Sequence, residues 1–78
     1  MNEVELFIAE KRDELEECFD TEEVEAICEA VREKFGVQCM CIYVGGFDST
    51  GLDINCYAVG YIGTDGVLGM VDFESRSY

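Results

Sequence analysis

Residues 20–44 read DTEEVEAICEAVREKFGVQCMCIYV, and the fold turns on the change of pattern at Gly36. Before it, Val24, Ile27, Cys28, Val31 and Phe35 recur every three or four positions, the spacing of one helix face. Asp20 followed by Glu23 has the form of a capping box, in which each residue satisfies a backbone N–H near the other. Gly36 is placed to end the helix in a left-handed conformation, which costs a residue without Cβ little. After it comes a short run of β-branched, aromatic and sulfur-bearing residues, which reads as a strand. A helix over about 21–35 therefore hands over to a strand over about 37–44.

Working outward, Asn2 followed by Glu5 resembles another helix start. Val4, Phe7, Ile8, Leu15, Cys18 and Phe19 continue from it at helical spacing, predicting a helix over about 3–19. Lys11 falls in that stripe, where its stem can lie on apolar surface while the ammonium reaches water. Downstream, 54–62 and 67–74 have strand composition. Gly45 to Asp53 reads as a glycine-bearing loop with Phe47 at its centre, and Gly63-Thr64-Asp65-Gly66 as a hairpin turn. The expected architecture is α+β, a single domain in which two N-terminal helices pack on one face of a three-stranded antiparallel sheet.

The last turn decides which sheet face the helices cover. If Thr64-Asp65 is a two-residue loop, Ile62 faces Val67, and the small residues Ala58 and Gly60 join the helix-seating face. Tyr57, Val59 and Tyr61 then lie on the open face. A three-residue loop with a bulge swaps the partners across the turn. The first register is the one expected; in either case two helix faces cannot cover both sides of the sheet, so some tyrosine-rich surface is expected to stay open.

The chain has 78 residues, 18 of them Asp or Glu and 5 Lys or Arg, for a net charge of −13. That balance disfavours direct binding to nucleic acid or an anionic membrane, both of which need cations. It favours a basic partner. Glu3, Glu5 and Glu10 interrupt the first apolar residues, so no signal peptide is expected. No run reaches the roughly 20 apolar residues of a membrane span. Five cysteines without a secretion signal point to a reducing cytoplasm.

The acids are not scattered. On the second helix Glu22, Glu25, Glu29 and Glu33 stand opposite the apolar face. Residues three or four apart stack about one ~5.4 Å turn apart, so this is a row about three turns long. Glu10, Asp13, Glu14 and Glu17 form a similar patch on the first helix. A DNA strand carries a phosphate every ~3.4 Å; the carboxylate row is sparser, but its pitch is of the same order. These eight residues are the candidate partner-binding set, against the alternative that charged outer faces are what surface helices have.

Other features carry less chemistry. Cys39-x-Cys41 lacks the paired spacing of a zinc site, and the chain has no histidine, so the cysteines read as core residues and no metal or cofactor is expected. The glycine-rich loop lacks the lysine and the strand–loop–helix frame of a phosphate-binding loop. No nucleophile elbow is present, so no enzyme activity is expected. Tyr57, Val59 and Tyr61 form an alternative interface, in which the chain is a protein–protein module or homodimer and the acids only confer solubility.

In size, charge and the two carboxylate rows the chain resembles the small acidic phage-encoded inhibitors called anti-CRISPR proteins, and DNA-mimic proteins in general. The resemblance covers the helical half. It implies an inhibitor that binds the nucleic-acid channel of a defence nuclease complex and blocks access, in the cytoplasm of the host cell.

Overall fold

A computed structural model describes residues 2–77. Two helices, α1 (Glu3–Glu14) and α2 (Thr21–Phe35), precede three strands, β1 (Cys39–Ser49), β2 (Leu52–Ile62) and β3 (Leu68–Ser77). The strands form one antiparallel sheet in the order β1-β2-β3. Both helices lie on the same face, α1 towards β3 and α2 towards β1. The expected α+β architecture is the observed one.

The helix starts follow the local chemistry. Asn2 accepts the backbone N–H of Glu5 at 2.8 Å, and both halves of the Asp20/Glu23 capping box are formed. Gly36 ends α2 at φ 66°, its N–H donating to the carbonyl of Arg32. The helices run antiparallel: Phe7, near the start of α1, meets Phe35, at the end of α2, edge-to-face at 5.6 Å.

α1 is shorter than its periodicity predicts, ending at Glu14 where Leu15 turns extended (ψ 149°). The segment beyond bonds instead to the far end of the sheet. The Arg76 N–H donates to the Glu17 carbonyl at 2.9 Å. The buried Ser75 hydroxyl accepts from the Phe19 N–H and donates to the Phe19 carbonyl. Phe19 packs edge-on against Phe73 and tilted against Tyr57. A continued helix would have kept those backbone groups for itself, so partners more than 50 residues away in sequence decide where α1 stops.

The expected loop from Gly45 to Asp53 is strand for most of its length. Its glycines serve a bulge and a tight turn. Pairing steps past Val44, with Gly45 at φ 137°. The chain then reverses through Thr50 and Gly51, at φ 52° and 80°, the paired left-handed residues of a two-residue hairpin.

The second hairpin takes the three-residue alternative. Gly63 closes the loop by donating to Val67, Gly66 sits at φ 83°, and its N–H returns to the Gly63 carbonyl. Ile62 therefore pairs with Leu68, and Tyr61 with Gly69. One residue of slip moves every side chain to the other face. Tyr57, Val59 and Tyr61 turn towards the helices with Val71 and Phe73, and become core beside Val4, Ile8, Val24, Ile27, Cys28 and Val31. Gly69 is required there, since a Cβ would collide with the Tyr61 ring.

Candidate partner-binding surfaces

The helices give the slab an acidic side. Glu10, Asp13, Glu14, Glu17, Glu22, Glu25, Glu29 and Glu33 are all exposed. Seven lie on the helices; Glu17 belongs to the extended segment after α1, so the first patch is the less regular one. Lys11 reaches Glu14 at 3.3 Å and Arg12 reaches Asp13 at 3.7 Å, both exposed pairs.

The row on α2 is different, because the cations of that helix point elsewhere. Arg32 donates to the Cys39 carbonyl on edge strand β1 at 2.6 Å. Lys34 stands over the rings of Phe7 and Phe35, 4.8 and 5.7 Å from their centres. Arg12 likewise donates to the Asp72 carbonyl on the other edge strand. The arginines thus cap carbonyls of the sheet edges, which blunts strand addition, and Glu22, Glu25, Glu29 and Glu33 project without a neutralising partner from their own helix.

The opposite side of the slab is apolar along β1, β2 and the Leu68–Met70 end of β3, after which Asp72, Glu74 and Arg76 follow on the same face. The expected interface of Tyr57, Val59 and Tyr61 is not a surface: these residues are 6%, 0% and 3% exposed, under the helices. In their place the outer face shows Met40 and Ile42 on β1 and Leu68 and Met70 on β3, each more than half exposed. Between these ridges runs β2 with Gly60, leaving an apolar groove of about 440 Å³. One signal for this surface was present in the sequence. Residues 39–44 are apolar at every position, a pattern typical of strands covered on both faces.

Three thiols gather between α2 and β1. Cys28 and Cys39 are buried and Cys41 half-buried, and burial pushes all three thiols up from their ordinary range. Neighbouring sulfurs and Glu25 add to the effect at Cys28. A thiol held protonated is a poor nucleophile and a poor metal ligand. Among the described residues no group of three His, Cys, Asp or Glu side chains is arranged to hold a metal. Cys18, expected on the apolar face of the first helix, is exposed in the segment after it.

At the tip of the first hairpin Asp48 pairs directly with Asp53 across the strands. A hydrogen bond with the Asp48 carboxyl and the charge of that carboxyl raise the Asp53 pKa. The native state therefore binds this proton more tightly than the unfolded chain does. The pair's contribution to stability is most favourable below the ordinary aspartate range, and is lost as pH rises through the raised value. Asp53→Asn should accordingly melt higher than the parent at pH 7. That gain should shrink as pH falls through the raised Asp53 value, where the parent Asp53 carboxyl is itself neutral. Thermal melts of both proteins across that range check it, and a gain independent of pH would refute the like-charge cause.

Among the described residues no helix is long and apolar enough to cross a membrane. No protein-family model, no curated protein and no solved structure matches the chain.

Proposed function

We propose that this chain is a non-enzymatic inhibitor that occupies a basic, nucleic-acid-binding surface of another protein or complex and denies that surface to nucleic acid. The observation that carries the reading is the α2 row. Four carboxylates at helical spacing are exposed on one helix, while that helix's own cations engage a strand carbonyl and two aromatic rings. Such a row offers arginine and lysine side chains of a phosphate-binding groove a set of charge-assisted acceptors. The absence of histidine from the sequence and the raised thiols speak for binding rather than catalysis. The resemblance to phage-encoded anti-CRISPR inhibitors fits the same reading and makes a defence nuclease complex in the host cytoplasm the first partner to seek.

The test is capture and competition. The tagged protein, incubated with nuclease-treated lysate of its native host, should retain a nucleic-acid-binding protein or complex. Added duplex DNA should displace that partner, and retention should weaken steeply with salt, since exposed charges are screened over ~10 Å at 0.1 M. Retention indifferent to both DNA and salt would defeat the mimicry mechanism.

A further inference from the structure

We propose that the outer edge of β1 takes an extended segment of the partner as a further antiparallel strand, one in which cationic and apolar residues alternate. This rests on the reading of the α2 row as a binding surface, and it says how a basic chain reaches that row. β1 and β3 are the edge strands of the sheet, and the two arginine caps blunt them unequally. Arg12 caps Asp72, in the middle of β3. Arg32 caps Cys39, the first residue of β1, so its cap sits at one end of that edge.

Two bonds fix the direction of the β1 backbone groups. The Gln38 carbonyl accepts from the Ile62 N–H of β2, so Gln38, Met40 and Ile42 turn their N–H and C=O groups into the ladder. The Cys39 carbonyl accepts from Arg32, outside the ladder, so Cys39, Cys41 and Tyr43 turn theirs outward. Past the capped Cys39, the N–H and C=O groups of Cys41 and Tyr43 offer an incoming strand two donors and two acceptors before the bulge at Val44 shifts the register. An edge of this kind is a template for strand addition.

The two sides of the added strand meet different chemistry. Residues opposite Cys41 and Tyr43 share the helix-facing side, since cross-strand neighbours point the same way. α2 runs back along β1: Arg32 is tied to Cys39, and Thr21 lies at Tyr57, the cross-strand partner of Tyr43. Glu25 falls between them, close enough to Cys41 that its carboxylate adds to the effect of burial in raising that thiol. Glu22 and Glu29, three and four residues from Glu25, continue the exposed row. Lysine or arginine suits both positions on this side. The residue between them joins the other face, beside Met40 and Ile42, 61% and 52% exposed, and an apolar side chain suits it.

The probe is a blocked hexapeptide of alternating lysine and valine, titrated into isotope-labelled protein at low salt and followed by nuclear magnetic resonance. It should shift the Cys41 and Tyr43 amide resonances and slow their hydrogen exchange, and Glu25→Lys should weaken it at least about tenfold. Methylating the lysine N–H groups, which face β1 in an antiparallel strand, should weaken binding about tenfold or more, whereas methylating the outward valine N–H groups should not. The same residues arranged as one lysine block and one valine block keep the charge and should bind about tenfold more weakly or worse. Equal binding of the alternating and block peptides, indifference to lysine N-methylation, or unchanged exchange at Cys41 and Tyr43 with about 1 mM peptide would overturn the proposal. The inhibitor reading fails separately. Peptide protection of the edge without capture of any nucleic-acid-binding partner would support strand addition and remove the inhibitor. A captured, DNA-displaceable partner that leaves both amides exchanging would overturn strand addition and keep the inhibitor.

Discussion

Replacing Tyr57 and Tyr61 together with alanine should unfold the domain. Both side chains lie on the helix-facing side of β2, 6% and 3% exposed. The Tyr57 ring meets Phe19 at 5.9 Å and Tyr43 at 5.4 Å, and its hydroxyl lies 3.4 Å from Thr21 at the start of α2. Tyr61 covers Gly69 on the neighbouring strand. Truncating a buried aromatic to alanine costs about 3–5 kcal/mol. The two sites are four residues apart on an extended strand, roughly 13 Å, so their costs should nearly add. The sum of about 6–10 kcal/mol rivals the roughly 4–12 kcal/mol expected for a whole domain of this length. Far-ultraviolet circular dichroism and urea titration would detect the collapse. A double variant that melts like wild type but loses a binding partner would put the tyrosines on the surface and the helices on the wrong face.

The second large effect concerns binding. Glu25→Lys with Glu29→Lys should lower affinity for the captured partner on the order of 100-fold while leaving the fold intact. Both residues are exposed on α2, and the change takes the net charge from −13 to −13 + 4 = −9. A hydrogen bond to a charged group is worth about 1.5–3 kcal/mol, so losing two at the lower figure costs about 3 kcal/mol, on the order of 100-fold in Kd. Within the helix the reversal leaves positions 25 and 29 like-charged and sets position 29 against Arg32, but it also creates two opposite-charge neighbours. The new cation at position 25 lies three residues from Glu22, and the one at position 29 lies four from Glu33, which should hold or slightly raise the melting point. Titration of the captured partner with each protein measures the ratio. Equal affinity would move function off the acidic side.

The two variants also separate the two sides of the slab. Tyrosine loss acts through folding, charge reversal through the helix surface, and neither alters the ridges of Met40, Ile42, Leu68 and Met70. A partner that resists charge reversal but is lost with Leu68→Lys/Met70→Lys would be a ligand of the sheet face.

What the sequence alone determined is what local chemistry decides. The Asp20/Glu23 box and Gly36 bound α2 at the residues where the helix begins and ends, because caps are satisfied within a few residues. The order of two helices and three strands, and the exposure of the acidic row, follow from periodicity in the same way. Three things were decided only by tertiary structure. α1 stops at Glu14 because Ser75 and Arg76 take up the backbone of Phe19 and Glu17, a choice invisible in the stretch 15–19 itself. The 45–53 stretch is strand because neighbouring strands complete its ladder around one bulge. Most consequential is the register of the last hairpin. Gly63-Thr64-Asp65-Gly66 suits a two-residue or a three-residue loop, and the side-chain period of two turns that single residue into an exchange of faces. Both faces of β2 carry apolar residues, so hydrophobicity along the chain does not choose between them. The choice falls to packing, where the larger set of Tyr57, Val59, Tyr61 and Phe73 fills the space beneath two helices and the smaller one is left beneath an open groove.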